Sequence, residues 1–144
     1  MQNDQQPILA LDVGESRIGI AISDPTKTLA SPLKTIKTIN ALSEIKECID
    51  RANAASILIG LPYLPSGSKG TQFNKTQTFI REISNHTKIP IITIDERFST
   101  IEAKKKILEP INLNRSKKSK KRIPNNLIDS ASATVILQSY LDNL

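Results

Sequence analysis

Ile8-Leu9-Ala10-Leu11-Asp12-Val13-Gly14-Glu15-Ser16-Arg17-Ile18-Gly19-Ile20-Ala21-Ile22-Ser23 decides the fold. Its first six residues are nearly all apolar, the pattern of a central strand buried on both faces, and Gly14 ends the run. From Arg17 onward Ile18, Ile20 and Ile22 alternate with Gly19, Ala21 and Ser23, a strand period with one bulky and one small face. The short link Gly14-Glu15-Ser16 makes the two strands a hairpin. Asp12 shares a strand face with Ile8 and Ala10, so a carboxylate stands at the C-terminal end of a buried strand.

Working outward, Asp24-Pro25 is a turn and Leu33 to Thr38 reads as a third strand of β-branched character. Ile39 to Ala55 shifts to helical spacing through Leu42, Ile45, Ile49 and Ala52, with Asn40 or Ser43 available as cap. Ser56 to Ile59 is a short apolar strand ended by Gly60, and the Pro- and Gly-rich stretch from Leu61 to Gly70 is a loop. Thr71 to His86 is helical, Ile89 to Ile94 is a fifth strand, and Ser99 to Leu108 is another helix. After a polar basic loop, residues 109–124, the chain closes on a helix from Leu127 to Leu144, whose Ala133, Ile136, Leu137, Tyr140, Leu141 and Leu144 form one buried face. This order predicts an α/β fold: a five-stranded mixed sheet, three antiparallel strands and then βαβα crossovers, with helices on both faces.

A chain of 144 residues fits one domain, 1–144, with residues 1–7 as a frayed tail. The lone Cys48 has no partner for a disulfide and reads as packing, which suits a reducing compartment. No signal peptide and no apolar run of about 20 residues is present, so the expectation is a soluble, cytoplasmic protein without membrane contact. The net charge of +6 is concentrated in residues 104–122, which hold nine Lys/Arg against one acid, Glu109. That window carries +8 and the remaining chain −2. A near-neutral body with one basic segment suggests a local polyanion contact; a solvated lysine-rich loop is the plainer alternative.

Three acids sit where one element gives way to the next. Asp12 closes the first strand, Asp95 and Glu96 follow the fifth, and Asp129 lies four residues before Ala133 on the inward face of the last helix. Strand alternation allows only one of Asp95 and Glu96 to face the same cleft as Asp12, and does not choose between them. Turn capping by Asp12 and helix-dipole stabilisation by Asp129 are the structural alternatives. Carboxylates brought together repel, and a divalent cation removes the problem. All-oxygen ligands without His or Cys point to Mg2+ or Mn2+, and two such ions about 4 Å apart would activate a water and stabilise the departing oxygen of a phosphodiester.

With these residues in hand, the sequence resembles the YqgF-type family of pre-16S rRNA nucleases, once proposed as Holliday-junction resolvases, which have an RNase H-like fold. The resemblance runs from Leu9 to about Tyr140 on four pieces: Leu11-Asp12-Val13-Gly14 with Arg17 to Ala21 and Ser23-Asp24; Ile59-Gly60-Leu61-Pro62 with Gly67 and Gly70; Asp95-Glu96-Arg97-Phe98-Ser99-Thr100 with Ala103; and Asp129 to Ala133 with Ile136-Leu137. Four such pieces in order are specific where each alone is weak. The resemblance implies a catalytic, metal-binding triad of Asp12, Glu96 and Asp129, choosing Glu96 over Asp95. It also implies substrate-proximal roles for Arg97, Gly60 and Gly67. Arg97 could grip phosphate bidentately or tie Asp95 or Asp129 instead.

The segment Arg115 to Arg122 is more densely basic than the family pattern requires, which makes Lys117, Lys118, Lys120, Lys121 and Arg122 candidate substrate contacts. Scarce aromatics near the cleft argue for gripping the backbone rather than stacking on bases. The leading expectation is a metal-dependent nuclease acting on structured RNA, at the 5′ end of pre-16S ribosomal RNA, as a monomer or weak homodimer. A DNA-junction resolvase, which needs two active sites and hence a dimer, is the alternative of the same class. A non-catalytic RNA-binding or ribosome-assembly protein is the alternative of another class. An actin-like ATPase, suggested by Asp12-x-Gly14, would need two such domains.

Overall fold

The computed structural model describes residues 5–98 and 125–144, with the side chains of residues 5–97 and 130–144. β1 (Ile8–Val13) and β2 (Arg17–Ser23) pair antiparallel, Leu9 opposite Ile22 and Val13 opposite Ile18. The Gly14 N–H donates to the Arg17 carbonyl at 2.9 Å, and a Cβ on Gly14 would meet that same oxygen at 2.6 Å, so the tight hairpin requires glycine.

β3 (Ala30–Lys37) adds to β2 as an edge strand, starting three residues before the predicted Leu33. Its Pro32 is tolerated because an edge strand has an N–H side with no neighbour to satisfy. Side chains distant in sequence fix the early start. Gln138 accepts the Ala30 N–H and donates to the Thr28 carbonyl, both at 3.0 Å. Within the turn itself, Asp24 accepts the Thr28 and Leu29 N–H groups at 2.7 and 2.8 Å, and the Thr26 hydroxyl, followed by these N–H groups, holds its carboxyl down at about 2.

A 3-10 turn (Thr38–Asn40) leads into α1 (Ala41–Ala52). Neither expected cap operates: the Asn40 side chain makes no cap bond, and the Ser43 hydroxyl donates to the Asn40 carbonyl. β4 (Ser56–Leu61), α2 (Thr71–His86) and β5 (Ile91–Asp95) follow, then a 3-10 turn over Glu96–Phe98 and α3 (Asn125–Asp142). The strand order is β3-β2-β1-β4-β5, with β1·β4 and β4·β5 parallel. β4 does not stop at Ile59 as expected: pairing of Gly60 with Ile94 and Leu61 with Asp95 carries it two residues further. β5 begins at Ile91, not Ile89, since Pro90 has no N–H for a ladder. The predicted helix Ser99 to Leu108 and the basic loop lie outside the described residues.

Helices cover both sheet faces. On one, Leu9, Leu11, Ile18, Ile57 and Ile59 pack with Ile45, Cys48 and Ile49 of α1 and Phe79 and Ile83 of α2. On the other, Ile8, Ala10, Ala21 and Leu58 pack with Ala133, Ile136, Leu137 and Leu141 of α3. The expected single apolar face of α3 is an underestimate, because almost every residue from Ser130 to Ser139 is buried, Thr134, Gln138 and Ser139 included. The Thr134 hydroxyl is satisfied by the Ser130 carbonyl and the Gln138 amide by Thr28, Ala30 and Asp142, which lets polar residues occupy those sides. Leu144, expected on the buried face, lies past the helix end and is 70% exposed. Among the described residues no helix is long and apolar enough to cross a membrane.

Candidate active site

Three neighbouring parallel strands end together, and strand parity decides what each presents. Ile8 and Ala10 of β1, Leu58 of β4 and Ile92 and Ile94 of β5 all face α3. The next residues of that parity are Asp12, Gly60 and Glu96. Gly60 lies in the middle strand, between the two acids. A Cβ there would stand 2.7 Å from both Cγ and Oε1 of Glu96 and 3.0 Å from Cδ1 of Ile136 on α3. Glu96 therefore occupies the space over Gly60 that any side chain would fill, and its carboxyl hydrogen-bonds with that of Asp12.

Two acids in this arrangement cannot both ionise without penalty. Burial, then the charge of Asp12 and the hydrogen bond to it, push the Glu96 carboxyl up to about 8, with a smaller contribution from Asp95. At neutral pH the pair holds a proton between them. Such a pair, all oxygen and half-buried, can on losing that proton offer two carboxylates and so fits a hard divalent cation. Among the described residues no group of three or more metal-ligating side chains stands together. Asp129 lies in the N-terminal part of α3, and its side chain is outside the described residues, as are Lys117, Lys118, Lys120, Lys121 and Arg122.

Asp95 has the opposite parity and the opposite fate. It accepts from Arg97 Nε at 3.2 and 3.1 Å, from Nη2 at 2.7 Å and from the Arg97 backbone N–H at 2.9 Å. The hydrogen bonds from Arg97 hold its carboxyl below the usual carboxylate range. Of the two partners the sequence allowed for Arg97, phosphate or a neighbouring acid, the described structure has Asp95. The guanidinium lies 5.3 Å from the Tyr63 ring centroid, and Tyr63 packs at 4.7 Å from Phe73. Gly67, with φ +88°, closes the same loop, and a Cβ on it would come 3.3 Å from Arg97 Nη1. The predicted residues thus fall into two groups, Asp12–Gly60–Glu96 on the α3 side and Arg97–Gly67 around Asp95 and Tyr63. Sequence reasoning allowed Asp95 as a partner of Arg97 but missed Tyr63 as its support. The Asp-x-Arg spacing after a strand carried the first, since residues two apart there share a side, and no local signal carried the second.

An α/β sheet of this order, with acids at the ends of its parallel strands, has the RNase H-like fold of the RuvC-type junction resolvases. The RuvC of T. thermophilus in complex with Holliday junction substrate superposes with a TM-score of 0.62 at 11% identity, covering 96% of each chain. Fowlpox virus resolvase, solved with substrate Holliday junction DNA, gives 0.53 at 17% identity over 95% of this chain and 97% of the other. At these identities the likeness shows the fold alone. The chain belongs to the RuvX family, described as "RuvX: Holliday junction resolvase", which matches residues 6–143. A relative from Bartonella bacilliformis is 42% identical over 144 residues, 97% of this chain and 84% of the relative. One from Roseiflexus sp. is 36% identical over 146 residues, 99% of both. Both bear the name "Putative pre-16S rRNA nuclease".

Proposed function

We propose that this chain is a divalent-metal-dependent phosphodiester hydrolase that trims the 5′ end of pre-16S ribosomal RNA in the cytoplasm, with Asp12, Glu96 and Asp129 as catalytic and metal-holding acids. The observation that carries it is the contact of Asp12 with Glu96 across the bare backbone of Gly60. The names borne by the relatives direct the substrate, and family membership directs the chemistry.

Mg2+ or Mn2+, when bound, would supply water activation and charge stabilisation of the departing oxygen. Everything else is the work of the chain. Asp12 and Glu96 offer oxygen donors from two strands separated by one, held at fixed spacing by the β1·β4 and β4·β5 ladders. Loading the site requires release of the proton shared by the pair, so metal affinity should rise with pH through about 8. Gly60, without a side chain, leaves Glu96 the space it takes beside Asp12. Asp129 is supported as third member by its place in α3, two helical turns before Ile136, which reaches the Gly60 position. Because Gln138 meets the N-terminal end of β3 while Ile136 meets Gly60, the helix starts beyond the strand ends that carry the acids. Arg97, Gly67 and the basic residues Lys117, Lys118, Lys120, Lys121 and Arg122 would hold the polyanion.

Glu96→Gln and Asp12→Asn, each removing one ionisable oxygen, should abolish Mn2+-dependent cleavage of a pre-16S transcript and leave the far-ultraviolet dichroism unchanged. Retention of parental cleavage by either would sink the assignment, and so would retention by Asp129→Asn for that residue. A second reading, resolution of DNA junctions, is favoured by the family description. It demands two active sites and thus a dimer, so a monomer by light scattering that still cleaves RNA excludes it.

A further inference from the structure

We propose that Asp95 and Tyr63 are positioning residues that hold the Arg97 guanidinium as a phosphate clamp for the strand being cut, a clamp that engages backbone and not base. The proposal rests on the nuclease reading above and adds how substrate is gripped beside the acids. Arg97 follows Glu96 directly in a 3-10 turn, so the segment that sets the acid also sets the cation. A freely rotating arginine side chain carries rotamer entropy that binding would have to remove. Here Asp95 fixes its Nε–Nη2 edge, its Cζ lies over the Tyr63 ring and Gly67 lets the loop approach Nη1. The guanidinium is thereby oriented before substrate arrives.

The same contacts decide what the clamp reads. Tyr63 is half-buried, with Arg97 over its ring and Phe73 packed beside it, and Phe73 is only 3% exposed. Base stacking needs an open ring face, and among the described side chains near the site these aromatics are committed to protein partners. Lys69 lies 5.3 Å from the Phe73 ring centroid, so one aromatic pair carries two cations along the loop from β4 to α2. Cations supported by aromatics, with no aromatic offered to a base, suit phosphates of any sequence.

The test is steady-state cleavage of a pre-16S transcript and of a sequence-permuted transcript of the same secondary structure, at several salt concentrations, with Tyr63→Phe, Tyr63→Ala, Asp95→Asn and Arg97→Gln. Arg97→Gln, Asp95→Asn and Tyr63→Ala should raise KM about tenfold on both RNAs with kcat changed less than about threefold. Tyr63→Phe should match the parent, since it keeps the ring. Arg97→Gln should also make the logarithmic salt slope of KM shallower by about 0.7–0.9, one phosphate contact. Unchanged KM, a loss confined to kcat, a difference between the two RNAs or failure of Tyr63→Phe to behave as parent would overturn the clamp. Filter binding of the same RNAs to metal-free Glu96→Gln protein, with and without Arg97→Gln, reads the clamp without cleavage. An unchanged affinity there refutes the clamp even if the nuclease reading stands, and a tenfold loss upholds it even if that reading falls.

Discussion

Asp95 and Glu96 are neighbours in the chain and opposites in the fold. Asp95 pairs with a cation and lies below its ordinary carboxylate range; Glu96 is buried against another acid and is pushed up to about 8. One step of strand alternation separates them. At the end of a parallel strand, where the ladder stops but the parity persists, two consecutive acids are sorted onto opposite sides of the sheet, one against a cation and one against another acid. Charge alone is therefore a poor guide to an acid's setting. The side chains across the sheet are a better one.

The largest expected effect breaks the comparison outright. Glu96→Gln should lower metal-dependent cleavage by about 10²–10³-fold or more, the scale for removing one preorganised electrostatic group, while Asp95→Asn stays within about threefold in kcat. Equal losses in kcat would mean that parity does not separate the two acids. Gly60→Ala should come next. Its Cβ would need the space now held by Glu96 Cγ and Oε1, so either Glu96 leaves Asp12 or β4 shifts. We expect about a hundredfold loss of kcat, since displacements of about 1 Å at a reacting centre have that effect, with about 1–3 kcal/mol of overpacking read by urea unfolding. Parental activity in Gly60→Ala would show that Glu96 does not need the space over Gly60.

Much of this was legible in the sequence, for identifiable reasons. The hairpin from Ile8 to Ser23 follows from a period of two and a three-residue link, and α2 spans Thr71 to His86 as its spacing predicts. Local patterns fix local elements. What escaped depends on partners far along the chain: Ala30 begins β3 because Gln138, 108 residues away, receives its N–H, and Gly60 continues β4 because Ile94 pairs with it. The site divides the same way. Asp12 could be placed on a buried face from Ile8 and Ala10, whereas alternation left Asp95 and Glu96 open, the family resemblance favoured Glu96, and only packing assigns Ile92 and Ile94, and with them the parity of Glu96, to the α3 side. Gly60 could be suspected from sequence, but its use as the seat of Glu96 could not.

The smallest effect sharpens the comparison, because the two acids should bend stability against pH in opposite directions. Glu96 has a folded value of about 8 against an ordinary 4.5, so the unfolded chain ionises first. Its contribution is fully favourable below about 4.5, declines as pH rises and is lost above about 8. Asp95 lies below its ordinary 3.8, so its contribution is present above that value and is lost as pH falls through the lowered one. In metal-free protein, urea midpoints for Glu96→Gln should gain on the parent steadily between about 4.5 and 8. Those for Asp95→Asn should lose on the parent across neutral pH and converge with it in acid, by the smaller amount expected of a partly exposed pair. Added Mn2+ should cancel the first trend, by favouring the ionised Asp12–Glu96 pair, and leave the second untouched. A parent curve that declines above pH 4.5 equally with and without Mn2+ would separate the proton on Glu96 from the metal, and the like-charged pair would then be a strained structural contact beside Arg97 rather than a site.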